Sequence, residues 1–154
     1  MLIDEHIISS PLGNLCLKAN AGSLVALEWT ERDITPKPKN TSLSQASNQL
    51  HQYFLNKLND FRVSLAPEGS EFELSVWRAM TQIPHGTTAT YGDIAKMTGK
   101  PAQAVGYACG RNPIPIIIPC HRVVGNNGHM VGYSGQGGVE TKRWLLAHEG
   151  ALLL

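Results

Sequence analysis

The stretch Thr90-Tyr91-Gly92-Asp93-Ile94-Ala95-Lys96-Met97-Thr98-Gly99-Lys100-Pro101-Ala102-Gln103-Ala104-Val105-Gly106-Tyr107-Ala108-Cys109-Gly110-Arg111 decides the architecture of the second half of the chain. Thr90-x-x-Asp93 is a capping pattern and predicts a short helix to about Thr98, closed by Gly99. Pro101 stands where the next helix begins, because the first helical N–H has no partner to lose. That helix is expected to reach about Arg111, before Asn112-Pro113 stops it. Two short helices joined by Gly99-Lys100-Pro101 have the spacing of a helix-turn-helix. The second carries small residues at Ala102, Ala104, Gly106, Ala108, Cys109 and Gly110. Two readings of these stay open: tight packing against a neighbouring helix, or a slim surface that presses into a nucleic-acid groove. Gly106-x-x-x-Gly110 also matches a membrane dimer motif, but no apolar span accompanies it.

Upstream, Ser70-x-x-Glu73 is a capping box, and Phe72, Val76, Trp77, Met80 and Ile83 share one helical face that Pro84-His85-Gly86 ends. Pro67-Glu68-Gly69 reads as a boundary, giving domains 1–68 and 69–154. The first half opens with three segments rich in β-formers: Leu2–Ser9, Leu15–Ala19 and Leu24–Trp29. Turn residues at Ser10-Pro11-Leu12-Gly13 and Asn20-Ala21-Gly22 make them an antiparallel meander. Leu43, Ala46, Leu50, Tyr53, Phe54 and Leu58 then recur at helical spacing, with Thr41 or Ser42 as N-cap. Phe61–Leu65 is expected to add a short strand. Downstream, the run Pro113-Ile114-Pro115-Ile116-Ile117-Ile118-Pro119 is apolar and buried, yet its prolines bar it from mid-sheet. A turn at Gly125-Asn126-Asn127-Gly128, a Gly-rich loop over 132–138 and a helix Val139–Glu149 complete the chain. The expected class is α/β (α+β): a small antiparallel sheet plus helix, then a mainly helical domain.

With 154 residues, 42% hydrophobic and 16% charged, the composition is that of a soluble globular protein. No apolar run approaches the roughly 20 residues of a membrane span, so no membrane partner is expected. Met1-Leu2-Ile3-Asp4-Glu5 lacks the basic start and apolar core of a secretory signal, which points to the cytoplasm. Three widely spaced cysteines, Cys16, Cys109 and Cys120, form no C-x-x-C pair; neither a disulfide framework nor a metal site is suggested. The net charge of +1 does not by itself indicate nucleic acid. Residues 1–69 hold 6 Lys/Arg against 7 Asp/Glu, while residues 70–154 hold 7 against 5.

Chemistry concentrates at Ile118-Pro119-Cys120-His121-Arg122-Val123. A thiolate attacks electrophilic carbon readily when a nearby base or cation lowers its pKa. A cysteine in an apolar stretch is ordinarily an inert core residue, which is the default for Cys16 and Cys109. For Cys120 the fixing proline and the His121-Arg122 pair set a reactive thiol beside that default. Neighbours in a strand point to opposite faces, so a Cys120–His121 partnership requires a bent turn. Glu149 is a second clue, since an acid in the last turn of a helix opposes the macrodipole. It stands either as a surface carboxylate or as the group that orients a histidine.

These residues together resemble the O6-alkylguanine-DNA alkyltransferases. Beyond Pro119-Cys120-His121-Arg122-Val123, the resemblance spans Phe72–Gly150. It takes in Val76-Trp77, Ile83-Pro84-x-Gly86, Tyr91-Gly92-x-Ile94-Ala95, Ala104-Val105-Gly106, Asn112-Pro113, Gly132-Tyr133-Ser134-Gly135 and Trp144-Leu145-Leu146-Ala147-His148-Glu149-Gly150. It implies a ribonuclease-H-like first domain and stoichiometric transfer of the O6-alkyl group of guanine, and of O4-alkyl from thymine, to Cys120. His121 would be the base, acting through water and oriented by Glu149. Asn112 would tie the helix to the active-site turn, and Tyr91 would hydrogen-bond the leaving guanine. Tyr133, Ser134 and the backbone near Val123 would contact the flipped nucleotide, with Arg111 and Arg122 among the DNA-binding residues. No cofactor is implied, and the partner would be double-stranded DNA containing alkylated guanine, bound by a monomer.

One departure concerns the extruding residue. The family typically has an arginine just before the Ala-Val-Gly of the second helix, where this chain has Gln103. Glutamine fills space and hydrogen-bonds an orphaned base without adding charge, and Arg111 or Lys100 is placed to compensate. The zinc ligands seen in some members' first domains have no counterpart. Two alternatives remain beside transfer. One is an alkyltransferase-like protein that binds alkylated DNA without transfer, although such relatives typically carry tryptophan in place of the cysteine. The other is a helix-turn-helix regulator, which leaves Cys120, His121 and Glu149 unexplained.

Overall fold

The structure is a computed structural model that describes residues 2–130 and 137–152. The chain forms two compact units, Met1–Glu68 and Gly69–Leu154. No helix among the described residues is long and apolar enough to cross a membrane.

In the first unit β1 (Asp4–Ile8), β2 (Leu15–Asn20) and β3 (Ser23–Trp29) form the expected antiparallel meander. A bulge between Lys18 and Ala19 shifts the β2–β3 register. Leu15, Leu17, Leu24 and Leu27 are buried, and α1 (Thr41–Phe54) covers them with Leu43, Ala46, Leu50 and Tyr53. The N-cap is Asn40, not Thr41 or Ser42: its side chain accepts from the Leu43 amide at 2.9 Å and donates to Asp4 at 3.0 Å. Ser42 is buried and donates its own hydroxyl to Asn40. The helix stops at Phe54, short of Leu58, where Asn56 takes a left-handed φ of 60°. Phe61–Leu65 is not a strand. The Gln49 side chain takes both backbone groups of Arg62 (2.7 and 3.1 Å), leaving only a one-residue bridge from Leu65 to Leu24.

In the second unit α2 (Glu71–Thr81) opens on the expected capping box between Ser70 and Glu73. It ends two residues before Ile83, which is buried in the closing turn. The two-residue strand β4 (Ala89–Thr90) leads directly into α3 (Tyr91–Thr98), capped reciprocally by Thr90 and Asp93. Gly99 closes α3 with φ 70°, and α4 (Ala102–Gly110) follows with Pro101 at its N-cap. α4 packs against α2 and α3, with the Trp77 indole N–H donating to the Ala108 carbonyl at 2.9 Å. Its small residues serve two faces. Val105, Ala108 and Cys109 pack inward, while Ala102, Gln103, Tyr107 and Gly110 remain exposed.

After α4 the apolar run folds back on itself. The Asn112 amide donates to the Ile118 carbonyl at 2.8 Å, and its oxygen accepts from the Ile114 amide at 3.0 Å. Ile114, Ile116, Ile117 and Ile118 are all buried. Ile116 holds φ 76°, a costly conformation for a β-branched residue that the surrounding packing must enforce. The chain then makes one 3₁₀ turn, Cys120–Arg122, and enters β5 (Val123–Val124), which pairs parallel with β4. α5 (Gly138–His148) carries Leu145 and Leu146 into the core, with Glu149 at its C-cap.

Gly99 should be the costliest glycine of the helix-turn-helix to replace. Nothing lies within 4 Å of an added Cβ, so backbone strain alone acts. Gly99→Ala is expected to lower the stability of the second unit by about 1 kcal/mol, read from chemical denaturation.

Candidate active site

A proline, a bent turn and a buried ion cluster set the site. Pro119 precedes the 3₁₀ turn Cys120–Arg122, and all three turn residues are buried. The turn is the bend that a partnership between these neighbouring residues requires. Glu149 comes to the turn from the end of α5. Its carboxylate accepts from His121 Nε2 at 2.7 Å and from Arg122 Nε and Nη2 at 2.8 and 3.0 Å. Arg122 Nη1 donates to the Ile83 carbonyl at 2.7 Å. A bidentate guanidinium–carboxylate contact of this kind is strong and directional.

The Arg122 guanidinium, expected among the DNA contacts, is buried and hydrogen-bonded to Glu149 and the Ile83 carbonyl. The same pairing identifies Glu149 as an internal carboxylate, not a surface one. With Arg122 balancing its charge, Glu149 does not require a charged histidine. Burial pushes the His121 pKa down, outweighing the opposing hydrogen bond and charge of Glu149. A neutral His121 must then carry its proton on Nε2 toward Glu149, leaving Nδ1 as a lone-pair acceptor. Nδ1 is buried with no hydrogen-bond partner among the described residues. The arrangement is a base with its tautomer fixed.

Cys120 differs from the reading that a neighbour lowers its pKa. Burial pushes the thiol up, against smaller opposing effects from the Asn112 side chain and the Lys142 charge. Cys120 thus rests as a thiol. Tyr91 is half-buried and its phenol is raised to about 12, chiefly by desolvation, so it is a hydrogen-bond donor at neutral pH. Cys109 is also raised to about 12 by burial, and its thiol lies 3.5 Å from the Met80 sulfur, as an inert core residue.

Matches with known proteins bear on this geometry. A family model described as the DNA-binding domain of 6-O-methylguanine DNA methyltransferase matches residues 71–151, and one for the ribonuclease-like domain of the same proteins matches residues 3–67. The chain belongs to this methyltransferase family. A Methanosarcina mazei protein named methylated-DNA–protein-cysteine methyltransferase is 43% identical over 94% of this chain and 95% of its own length. The crystal structure of Mycobacterium tuberculosis O6-methylguanine methyltransferase superposes with a TM-score of 0.86 at 40% identity, covering 99% of this chain and 96% of that one. A structure of the M. tuberculosis protein OGT in complex with DNA matches with a TM-score of 0.83 at 41% identity, over 94% and 92% of the two chains.

Within this methyltransferase-family chain, the remaining expected residues divide by location. Asn112 braces the turn through Ile118, as described above. Val123 is fully buried in β5 and pairs with Ala89. Gln103 lies on the exposed face of α4, and Arg111 follows its last turn, ion-paired with Glu73 at 2.6 Å. Tyr133 and Ser134 lie outside the described residues. Among the described residues no cluster of His, Cys, Asp or Glu is suited to a metal ion.

Sequence reasoning missed Lys142. It is almost completely buried on α5, its ammonium lies 5.8 Å from the Tyr91 ring centre, and burial lowers its pKa. Its charge favours the Cys120 thiolate. The available signal was spacing: Lys142 and Glu149 are seven residues apart, two helical turns, on the face that also presents Leu145 and Leu146.

Two outcomes test this electrostatic arrangement. Glu149→Gln leaves the Arg122 guanidinium buried without its counter-charge and is expected to cost roughly 3–5 kcal/mol in denaturant unfolding. His121 has a folded pKa below the ordinary imidazole value of 6.5, so the unfolded chain binds the extra proton first. Its contribution to stability is therefore full above pH about 6.5 and declines as pH falls toward the folded pKa. His121→Gln should flatten that part of the pH–stability curve.

Proposed function

We propose that this protein repairs alkylated DNA by direct reversal, moving the alkyl group from O6 of guanine, or O4 of thymine, to the Cys120 sulfur. The observation that carries this reading is a buried thiol beside His121, whose Nε2 is tied to Glu149 and whose Nδ1 is open. His121 takes the thiol proton, through water or directly, and the Lys142 charge favours the thiolate as it forms. The sulfur attacks the alkyl carbon, the S–C bond forms as the C–O bond breaks, and the electron pair leaves with the base. Tyr91 presents its hydroxyl hydrogen to the developing negative charge. The net exchange is an alkyl group for the thiol proton, which ends on guanine. No oxidant, reductant or cofactor enters.

The alkyl thioether does not give its alkyl group back readily, because thiolate is a poor leaving group, and no described residue is placed to regenerate the thiol. Each chain acts once. Access requires that the damaged nucleotide leave the duplex, and a poorly paired alkylated base costs less to extrude than a normal one. The exposed face of α4 is the surface assigned to the duplex, through the minor groove. The full set of Cys120, His121 and Glu149 comes from one chain, so a monomer suffices. Its three free cysteines suit the reducing cytoplasm. Binding without transfer, and regulation by sequence-specific binding, both leave the oriented base next to Cys120 without a role.

Incubation with duplex DNA containing O6-methylguanine should add one methyl, about 14 Da, to the peptide bearing Cys120, with one transfer per chain. Cys120→Ala should abolish transfer while retaining DNA binding. His121→Gln should slow transfer by about 10²- to 10⁴-fold at neutral pH. An unmodified Cys120 after excess substrate, with binding intact, would favour the binding-only reading.

A further inference from the structure

α4 leaves an aromatic side chain outside its packing. Tyr107 is 68% exposed, whereas the inward positions Val105, Ala108 and Cys109 are buried. On the same helix Gly106 precedes it and Gly110 lies about one turn later. Folding gains little from an aromatic ring left in water, and such a ring is a ready stacking surface for a partner.

The ring is also held in place. Gln103, Tyr107 and Arg111 recur every four residues along one edge of α4. The Arg111 guanidinium lies 5.7 Å from the Tyr107 ring centre, within cation–π range. Arg111 is itself fixed by the 2.6 Å bond from its Nε to Glu73, whose other oxygen caps the α2 backbone at Ser70. A chain of contacts thus runs from the start of α2 through Glu73 and Arg111 to Tyr107. It pre-positions a flat aromatic surface and a cation side by side, the combination that reads stacked bases next to phosphate.

Resting on the function proposed above, we infer that Tyr107 is the wedge that enters the base stack beside the extruded guanine. Gln103, one turn earlier, lies next to it and faces the orphaned partner base. The occupant of this surface is duplex DNA. Arg111 supplies the charge complementarity, and the DNA-binding family model covers the whole helix. Inserting side chains unstack neighbouring base pairs and hold the duplex open. Tyr107 is a positioning residue: it acts on extrusion and leaves the transfer at Cys120 untouched.

The test separates extrusion from chemistry by using two substrates with the full chain. Wild type, Tyr107→Phe and Tyr107→Ala are compared for single-turnover methylation from O6-methylguanine in a duplex and from a free O6-alkylguanine base. Tyr107→Ala should slow transfer from the duplex and weaken duplex binding about tenfold. Tyr107→Phe, which keeps the ring, should remain within about twofold of wild type on both. Transfer from the free base should be unchanged in all three. Equal rates on the duplex would overturn the inference, as would equal losses on duplex and free base, which would place Tyr107 in the fold or the chemistry. If wild type transfers from neither substrate, the proposed function fails instead, and the duplex-binding comparison still decides the role of Tyr107.

Discussion

The Glu149 carboxylate accepts hydrogen bonds from two residues adjacent in sequence, His121 and Arg122, and much of the second unit exists to let both reach it. Consecutive residues of a strand cannot face one acceptor, so the chain must bend at that point, and the 3₁₀ turn Cys120–Arg122 is the bend. Pro119 restricts the entry, Asn112 pins the Ile118 carbonyl, and the β4–β5 pairing fixes the exit. The strained Ile116 backbone belongs to the same set of constraints, since the isoleucines on either side are locked into the core.

The charge balance of that cluster determines the chemistry. A buried carboxylate with His121 alone would draw a proton onto the ring and remove its capacity as a base. Arg122 is permanently charged and meets the carboxylate in bidentate fashion, so it satisfies the charge and leaves the histidine neutral. The cost of burying the ions is large, and such a pair gives little net stability against apolar residues of the same shape. Its contribution is to hold one tautomer in one orientation. Lys142 has the complementary position. Its buried charge is unfavourable to folding and favourable to the thiolate, so it shifts energy from the resting state toward the reacting one.

How far the sequence discloses this arrangement depends on the range of the interactions. Helix starts at Ser70 and Thr90 and the stop at Gly99 are local, because a cap and its partner lie within one turn, and they are legible. So were the meander and the buried isoleucine run. Thr41 and Ser42 are the expected caps of α1, and the bond from Asn40 to Asp4, distant in sequence, helps set Asn40 there instead. Likewise Gln49 decided the fate of Arg62 by reaching from another element. β4 and β5 have two residues each, too few for any period to register, and they pair over more than thirty positions. At the site, Cys120, His121 and Glu149 stand out because each sits where an ordinary structural residue would be odd. Arg122 and Lys142 do not, since a cation reads by default as solvated and only the tertiary fold reveals a buried one.

A raised thiol pKa looks unsuited to a nucleophile until single use is considered. A catalyst that turns over many times gains from a permanently ionised cysteine, because a side reaction costs it one turnover among many. A protein that acts once loses all of its function to one stray electrophile or oxidant. Burial keeps Cys120 protonated and screened, and in the proposed reaction the neutral His121 and the Lys142 charge ionise it. In the proposed reaction the thiolate forms only as the substrate carbon comes into place. Selectivity for damaged DNA follows from this order of events. On the proposed reading the reaction needs the base extruded and extrusion uses a different surface, the exposed edge of α4, so neither a small electrophile in solution nor an intact duplex satisfies both requirements.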